Sequence, residues 1–369
     1  MGDSPQSTDP GSSTSIPHSR GTAPRHGLRV VAIGGGTGLS TLLKGLKHFV
    51  APAAEPCPPG KAVISDLSAV VTVSDDGGSS GRLRKEFNML PPGDIRNCIV
   101  ALSEDEALLS RLFQHRFLKG SGLEGHSFGN LFLAALTSIT SDFGEAVRLS
   151  SEILTTRGHI FPATTSNIEL EALMEDGTRV LGETKITASK GRIKELFLVP
   201  SDPEPLPQTL EAIATADVIT MGPGSLFTSL IPNLLVRGIP QAIRNSPAVK
   251  VYVCNLMTQA NESLGLTAAD HLRALNRHAR IDRLFDYALI NRTPASDELK
   301  AKYALEGATQ IVADLDEIEN LGVCPVLGDY LDQGGVARHA TDRVAQDLLQ
   351  LGLTQDTVHA KLSSNSAAQ

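Results

Sequence analysis

Short apolar runs alternate with longer stretches of helical periodicity along this chain. Leu28 to Ile33, Ala69 to Val73, Asp217 to Met221, Val249 to Cys254 and Phe285 to Ile290 are compact, rich in β-branched residues, and show little polar alternation. That pattern predicts strands buried on both faces of a parallel sheet. Each run ends at a glycine or a small polar residue. Between them, Leu39 to Val50 places Leu42, Leu43, Leu46 and Phe49 on one stripe, and Ser225 to Val236 follows a glycine turn. Phe128 to Ile139 is apolar nearly all round, which predicts a buried helix. Thr267 to His278 carries an N-cap threonine, with Asp270 in its first turn. Strands alternating with helices argue for a doubly wound α/β sheet.

One segment breaks the alternation. Asn167 to Leu198 centres on Asp176-Gly177, a strong hairpin signal, and predicts a small antiparallel β insertion within the body. Residues 1–27 are rich in Ser, Pro, Thr and Gly, cannot bury enough surface to offset their ordering entropy, and read as a disordered tail. They lack the apolar core of a signal peptide. The folded body is expected from residue 28 to residue 353, with residues 354–369 a frayed C-terminal tail.

Composition sharpens this picture by exclusion. The 369 residues hold 33 Lys and Arg against 41 Asp and Glu, a net charge of −8, which argues against a general nucleic-acid binder. No Trp and 4% aromatic residues leave few platforms for stacking bases. No apolar run is long enough to cross a bilayer. Cys57, Cys98, Cys254 and Cys324 form no C-x-x-C pair, so no zinc ribbon or thioredoxin-like motif is available. Such sparse cysteines fit a reducing cytoplasm.

The unusual residues collect where strands end, which is where open α/β sheets bind ligands. Gly35, Gly36, Thr37 and Gly38 follow the first strand and open a helix. Glycines admit a close ligand, and the free N–H groups of a helix start attract an anion, phosphate above all. Leu39 stands where the third glycine of G-x-G-x-x-G would be, and no Walker Lys follows, so the loop names no cofactor. A tight turn without a ligand is the bland alternative. After the second strand, Asp75 and Asp76 are placed to accept ribose hydroxyls or to hold Mg²⁺. Arg82 and Arg84 are placed to clamp a diphosphate; a solvated turn is the competing reading. Gly77-x-Ser79-x-Gly81 matches the nucleophile-elbow pattern, but several turn residues separate Ser79 from the strand. Asp94 is a helix cap or, like Arg96 or Asn97, a cleft residue. His126 and Asn130 share a face at the start of the next helix, as acid, base or phosphate ligand, or as packed residues. Gly224 and Ser225 offer a second helix-start anion site. Asn255 and Thr258 present an amide and a hydroxyl suited to sugar or base edges.

Seven runs in order carry a resemblance: VVAIGGGTGLSTLLKGLK, VTVSDDGGSSGRLR, PPGDIRNCIVALS, LFQHRF, GHSFGNLFLAALT, GPGSLFTSLIPNLLV and VYVCNLMTQ. Together they resemble the YvcK, or gluconeogenesis factor, family from about Arg29 to about His278, with weaker likeness to about Arg338. The resemblance implies a Rossmann-like fold and a cytoplasmic bacterial protein. It further implies binding of UDP-N-acetylglucosamine or UDP-glucose, and a role in cell shape and cell-wall precursor supply on gluconeogenic carbon sources. The wider superfamily includes CofD, a Mg²⁺-dependent 2-phospho-L-lactate transferase, whose acidic residues after the second strand would correspond loosely to Asp75 and Asp76. The sequence departs from the family in its N-terminal extension, in the insert Ala51 to Lys61, and in Ala260-Asn261 where Pro-Gly is more usual.

Three functional classes follow. The first is a nonenzymatic nucleotide-sugar regulator, the second a CofD-like transferase, and the third a serine hydrolase through Ser79. No cofactor is assigned outright. Mg²⁺ with the ligand diphosphate is the one candidate. A homo-oligomer and regulatory protein partners are expected, without an assigned interface.

Overall fold

The computed structural model describes residues 27–51, 63–104, 108–189 and 191–366. The N-terminal tail and most of the Ala51 to Lys61 insert lie outside the described residues. β1 (Leu28–Gly34), β2 (Ile64–Val71) and β3 (His159–Pro162) open the main sheet. β4 (Glu169–Met174), β5 (Arg179–Leu181) and β6 (Ile193–Val199) form a separate antiparallel sheet in the order β5-β4-β6. The main sheet resumes with β7 (Val218–Met221), β8 (Val249–Val253), β9 (Tyr287–Asn291) and β10 (Cys324–Gly328). β11 (Leu331–Gln333) and β12 (Ala337–His339) make a short antiparallel hairpin.

All seven main strands run parallel, in the order β10-β9-β8-β7-β1-β2-β3. The chain winds outward from β1 in one direction and, after the insertion, outward in the other. β1 and β7 therefore flank the switch point, where the two loops leaving their carboxyl ends diverge and open a crevice. β1 is an interior strand, and Val30, Val31, Ala32 and Ile33 are all almost fully buried, as a strand covered on both faces requires. The five expected strands are present, each end within five residues of its expected position. β3 and β10 are additional.

The predicted insertion is present, and Asp176-Gly177 turns its β4–β5 hairpin, with Gly177 at φ +87°. A helix, Glu183–Ala188, interrupts it before β6. The Ala268–Ala279 helix begins as expected: Thr267 accepts from Asp270 N–H while Asp270 accepts from Thr267 N–H. The glycine-rich loop opens the Gly36–Lys47 helix, which packs against the Gly93–Leu102 helix and the C-terminal Thr341–Ser366 helix. That last helix continues through residues 354–366, past the expected end of the body.

Three expectations are corrected. The Phe128–Thr140 helix is not buried all round: Gly129, Asn130, Leu133 and Ala134 form its buried face, while Ile139 is 77% exposed. The expected Ser225 to Val236 helix is broken into a π-helical turn, Leu226–Leu230, and a short α-helix, Ile231–Leu234, which has Pro in its first turn. The stretch holding Ser79, Arg82 and Arg84 is the Gly78–Phe87 helix, so these residues lie on a helix rather than in a loop.

Candidate functional site

A cleft of about 680 Å³ opens at the carboxyl ends of β1 and β7, within the range that nucleotides and cofactors occupy. Gly35, Gly36, Thr37 and Gly38 form its floor. The Gly36–Lys47 helix begins without a side-chain cap and has no acidic residue in its first turn. Gly36 takes φ +61°, and a Cβ on Gly38 would lie 2.3 Å from Pro223 O. Glycine at 38 therefore lets the helix start pack directly against the Gly222-Pro223-Gly224 turn leaving β7. Gly224, Ser225, Asn255 and Thr258 also line the cleft.

Three carboxylates face this floor: Asp75, Asp94 and Glu183. Burial pushes Asp94 up to about 6, the charge on Asp75 adds to the rise, and a hydrogen bond from Gly36 N–H opposes it. Burial also pushes Glu183 up to about 9, aided by the charges on Asp75 and Asp94 and opposed by a hydrogen bond from Ser74 Oγ to Oε2 at 3.2 Å. The cleft thus presents an anion-binding helix start opposite a cluster of crowded carboxylates. Among its described lining residues the fixed cation is Arg338, one residue before His339 at the end of β12. His339 donates from Nε2 to Cys254 O at 3.0 Å, and burial holds its ring down to about 4, so it is neutral near pH 7.

Several expected site residues have other partners. Asp75 and Asp76 diverge: Asp75 accepts from Gly77 N–H at 2.9 Å on the cleft side, while Asp76 accepts from Thr184 N–H at 2.8 Å and so anchors the insertion. Arg82 donates to Glu124 O at 2.7 Å, and buried Arg84 donates to Ile168 O, so neither lines the cleft. Asn97 accepts from Arg96 Nη2 at 2.6 Å. Ser79, His126 and Asn130 come together away from the cleft. Ser79 Oγ lies 2.9 Å from His126 Nδ1 and accepts from Asn130 Nδ2 at 3.1 Å. All three are buried, which leaves Ser79 without the exposed Oγ that a nucleophile elbow presents.

The expected second anion site is already satisfied. The N–H groups of Phe227 and Thr228 donate to Glu262 Oε1 at 2.8 and 2.9 Å. Asn255 is likewise engaged: its Oδ1 accepts from Gly224 N–H at 2.9 Å and its Nδ2 donates to Gly224 O. Thr258 Oγ1 accepts from Thr309 N–H at 2.9 Å. These side chains shape the turn beside the glycine loop. The departure at Ala260-Asn261 preserves its own turn, because Asn261 takes φ +60°, a conformation asparagine tolerates. Asn261 Nδ2 also donates to Thr187 O at 3.2 Å, tying this turn to the insertion.

Sequence reasoning missed Glu183, Tyr303, Arg338 and His339, which reach the cleft from elements distant along the chain. Their only sequence signal is for Glu183, which follows the strand beyond the Asp-Gly hairpin.

The family model of the 2-phospho-L-lactate transferase CofD matches residues 30–331. A gluconeogenesis factor from Halalkalibacterium halodurans is 50% identical over 323 residues, spanning 87% of this chain and 95% of its own. The gluconeogenesis factor of Bacillus subtilis is 48% identical, over 88% of this chain and 98% of its own. A crystal structure of a Bacillus halodurans protein superposes with a TM-score of 0.82 at 49% identity, covering 88% of this chain and 99% of the other.

Proposed function

The chain belongs to the CofD family, close to the gluconeogenesis factors, and from that premise we propose that it is a cytoplasmic nucleotide-sugar-binding regulator. Its ligand is a UDP-sugar, UDP-N-acetylglucosamine or UDP-glucose, and its role is to match cell-wall precursor supply, and so cell shape, to growth on gluconeogenic carbon. The observation that carries this reading is the uncapped glycine start of the Gly36–Lys47 helix, open to a nucleotide-sized cleft at the β1/β7 switch point. The N–H groups of that start other than Gly36, which answers Asp94, take the diphosphate, and Arg338 adds the fixed positive charge. Among the described residues, no helix is long and apolar enough to cross a membrane.

Mg²⁺ fits this cleft only in company. No group of three or more His, Cys, Asp or Glu among the described residues is placed to hold a metal. Asp75 and Asp94, however, match the one or two carboxylates that Mg²⁺ takes when ligand phosphates complete its shell. Asp76, turned toward Thr184, is outside this set. Titration calorimetry with each UDP-sugar, with and without Mg²⁺, tests the reading. Binding that weakens at least tenfold in Asp75→Asn only when Mg²⁺ is present is expected. A folded sample that binds no UDP-sugar overturns it.

The convergence of Asp75, Asp94 and Glu183 favours a second reading, a Mg²⁺-dependent transferase acting at a diphosphate. In that case the ligand is consumed, and Asp75→Asn abolishes turnover while leaving the fold intact. Bound ligand recovered unchanged after incubation with acceptor and Mg²⁺ removes it.

A further inference from the structure

β3 is the last strand of the seven-stranded sheet, so its outer edge has no strand beside it. Ala163 N–H donates to Val71 O at 2.8 Å. In this parallel register the backbone groups of His159, Phe161 and Ala163 turn toward β2, and those of Ile160 and Pro162 turn outward. Pro162 has no N–H, and its carbonyl oxygen accepts from Thr209 Oγ1 at 3.0 Å. Ile160 differs. Its outward N–H and C=O meet no partner among the described residues, although Ile160 is only 5% exposed. Buried backbone groups without partners are rare, and at a sheet edge they are a free row for another chain to pair with.

This edge opens into a second cavity, of about 740 Å³, which shares no lining residue with the cleft. The Phe143–Ile153 helix forms one wall. Leu206 and Gln208, at the start of the Pro207–Thr215 helix, form the other. One open residue is too few to join two sheets edge to edge, but it suits an extended peptide laid between the walls. The helix wall brings Asp142, Glu145 and Glu152 to the groove, against Arg148. The Arg148 guanidinium is already held by Glu145 and Glu152. The groove therefore selects a peptide that carries positive charge.

We propose that this groove is a strand-addition site, and that its occupant is Ser13-Thr14-Ser15-Ile16 of the same chain, laid antiparallel to β3 beside Ile160. The chain enters the fold at Leu28, whose N–H donates to Val63 O at 2.8 Å. His159 pairs with Ser68, which pairs with Val31, so β3 begins two strands across and three residues along from Leu28. At about 4.8 Å per strand and about 3.3 Å per residue, that gap is roughly 14 Å. Residues 17–26 span about 33 Å when extended, which carries Ile16 into the groove with slack. Met1 and Ile16 are the only large apolar residues before Gly27, and Thr14 and Ile16 are β-branched. Arg20 and Arg25 follow, with no Asp or Glu from residue 10 to residue 26, so the linker brings cations to the acidic wall. A segment returning from the groove to Gly27 runs opposite to β3. An antiparallel neighbour closes the N–H and the C=O of one residue together. A segment too polar to fold alone can order on such a preformed edge.

Hydrogen exchange read by mass spectrometry tests the proposal on the full chain, at several protein concentrations, in wild type, Ile16→Asp and the control Ser4→Asp. Both substitutions lie outside the folded body, so all three proteins should melt alike. In wild type the amides of residues 13–16 and 159–161 are expected to exchange about tenfold or more slowly than in Ile16→Asp, at every concentration. Ser4→Asp should match wild type. A synthetic peptide of residues 10–20, added in excess to Ile16→Asp, should restore slow exchange at 159–161. Equal exchange in wild type and Ile16→Asp overturns the proposal and leaves the groove to a basic peptide of another protein. Slowing that grows with concentration also overturns it, because the segment then comes from a second copy. So does a peptide that leaves exchange at 159–161 unchanged.

Discussion

Glu183 is held with its carboxyl pushed up to about 9, against an ordinary value near 4.5. Between those values the folded chain binds more protons at this group than the unfolded chain, so the group's contribution to stability falls as pH rises. Glu183→Gln should therefore match wild type at about pH 4.5 and exceed it increasingly toward about pH 9. Urea unfolding at several pH values measures the gap; a constant difference contradicts the assignment. Glu262 acts through its hydrogen bonds. Its carboxylate answers the N–H groups of Phe227 and Thr228, and Glu262→Ala leaves both without that partner. A loss of about 1–3 kcal/mol is expected from urea midpoints, with Glu262→Gln milder because it keeps an acceptor.

At the scale of elements, the cleft depends on how closely two turns approach. A Cβ on Gly38 would meet the carbonyl of Pro223 at 2.3 Å, and backbone there cannot swing aside. Gly38→Ala should displace the helix start, lower the melting temperature, and weaken UDP-sugar binding at least tenfold; calorimetry reads the second effect. The insertion has its own anchor in His278, whose Nδ1–H donates to Ala274 O at 2.7 Å while Nε2 accepts from Leu196 N–H at 3.0 Å. Burial holds this imidazole below its usual value, so the bond to Leu196 is kept above the ordinary histidine range and lost as pH falls and the ring protonates. Hydrogen exchange in β6 should accelerate in His278→Ala at neutral pH.

Much of this is legible in the sequence. Buried β-branched runs announce parallel strands because both faces need apolar cover, and glycines after Ile33 announce a close backbone approach. Capping by Thr267 is written within four residues. What local pattern does not carry is the partner a side chain finds far away. Asp75 and Asp76 are neighbours in sequence yet face different elements, and Asn255 is occupied by Gly224. Glu183 reaches the cleft because the insertion is tied to it, by Asp76 to Thr184 and by Asn261 to Thr187. The Phe128 to Ile139 pattern predicts burial all round, but an apolar composition does not fix how many faces of a helix are covered, and Ile139 is exposed.

On the scale of the whole molecule, the first strand is completed late. β1 pairs with β2 nearby, but its other edge pairs with β7, Val30 opposite Val218. The bond from Arg29 N–H to Asp217 Oδ2 spans 188 residues of sequence. Until β7 arrives, an apolar strand shows a bare row of backbone groups, the form of edge that recruits other chains. A fragment ending at Thr215 should therefore scatter light at concentrations where the full chain stays clear. During synthesis at about 5–20 residues per second, that edge stays open for roughly 10–40 s. The winding that creates the ligand crevice thus also sets an interval in which the nascent chain depends on shielding by the cell.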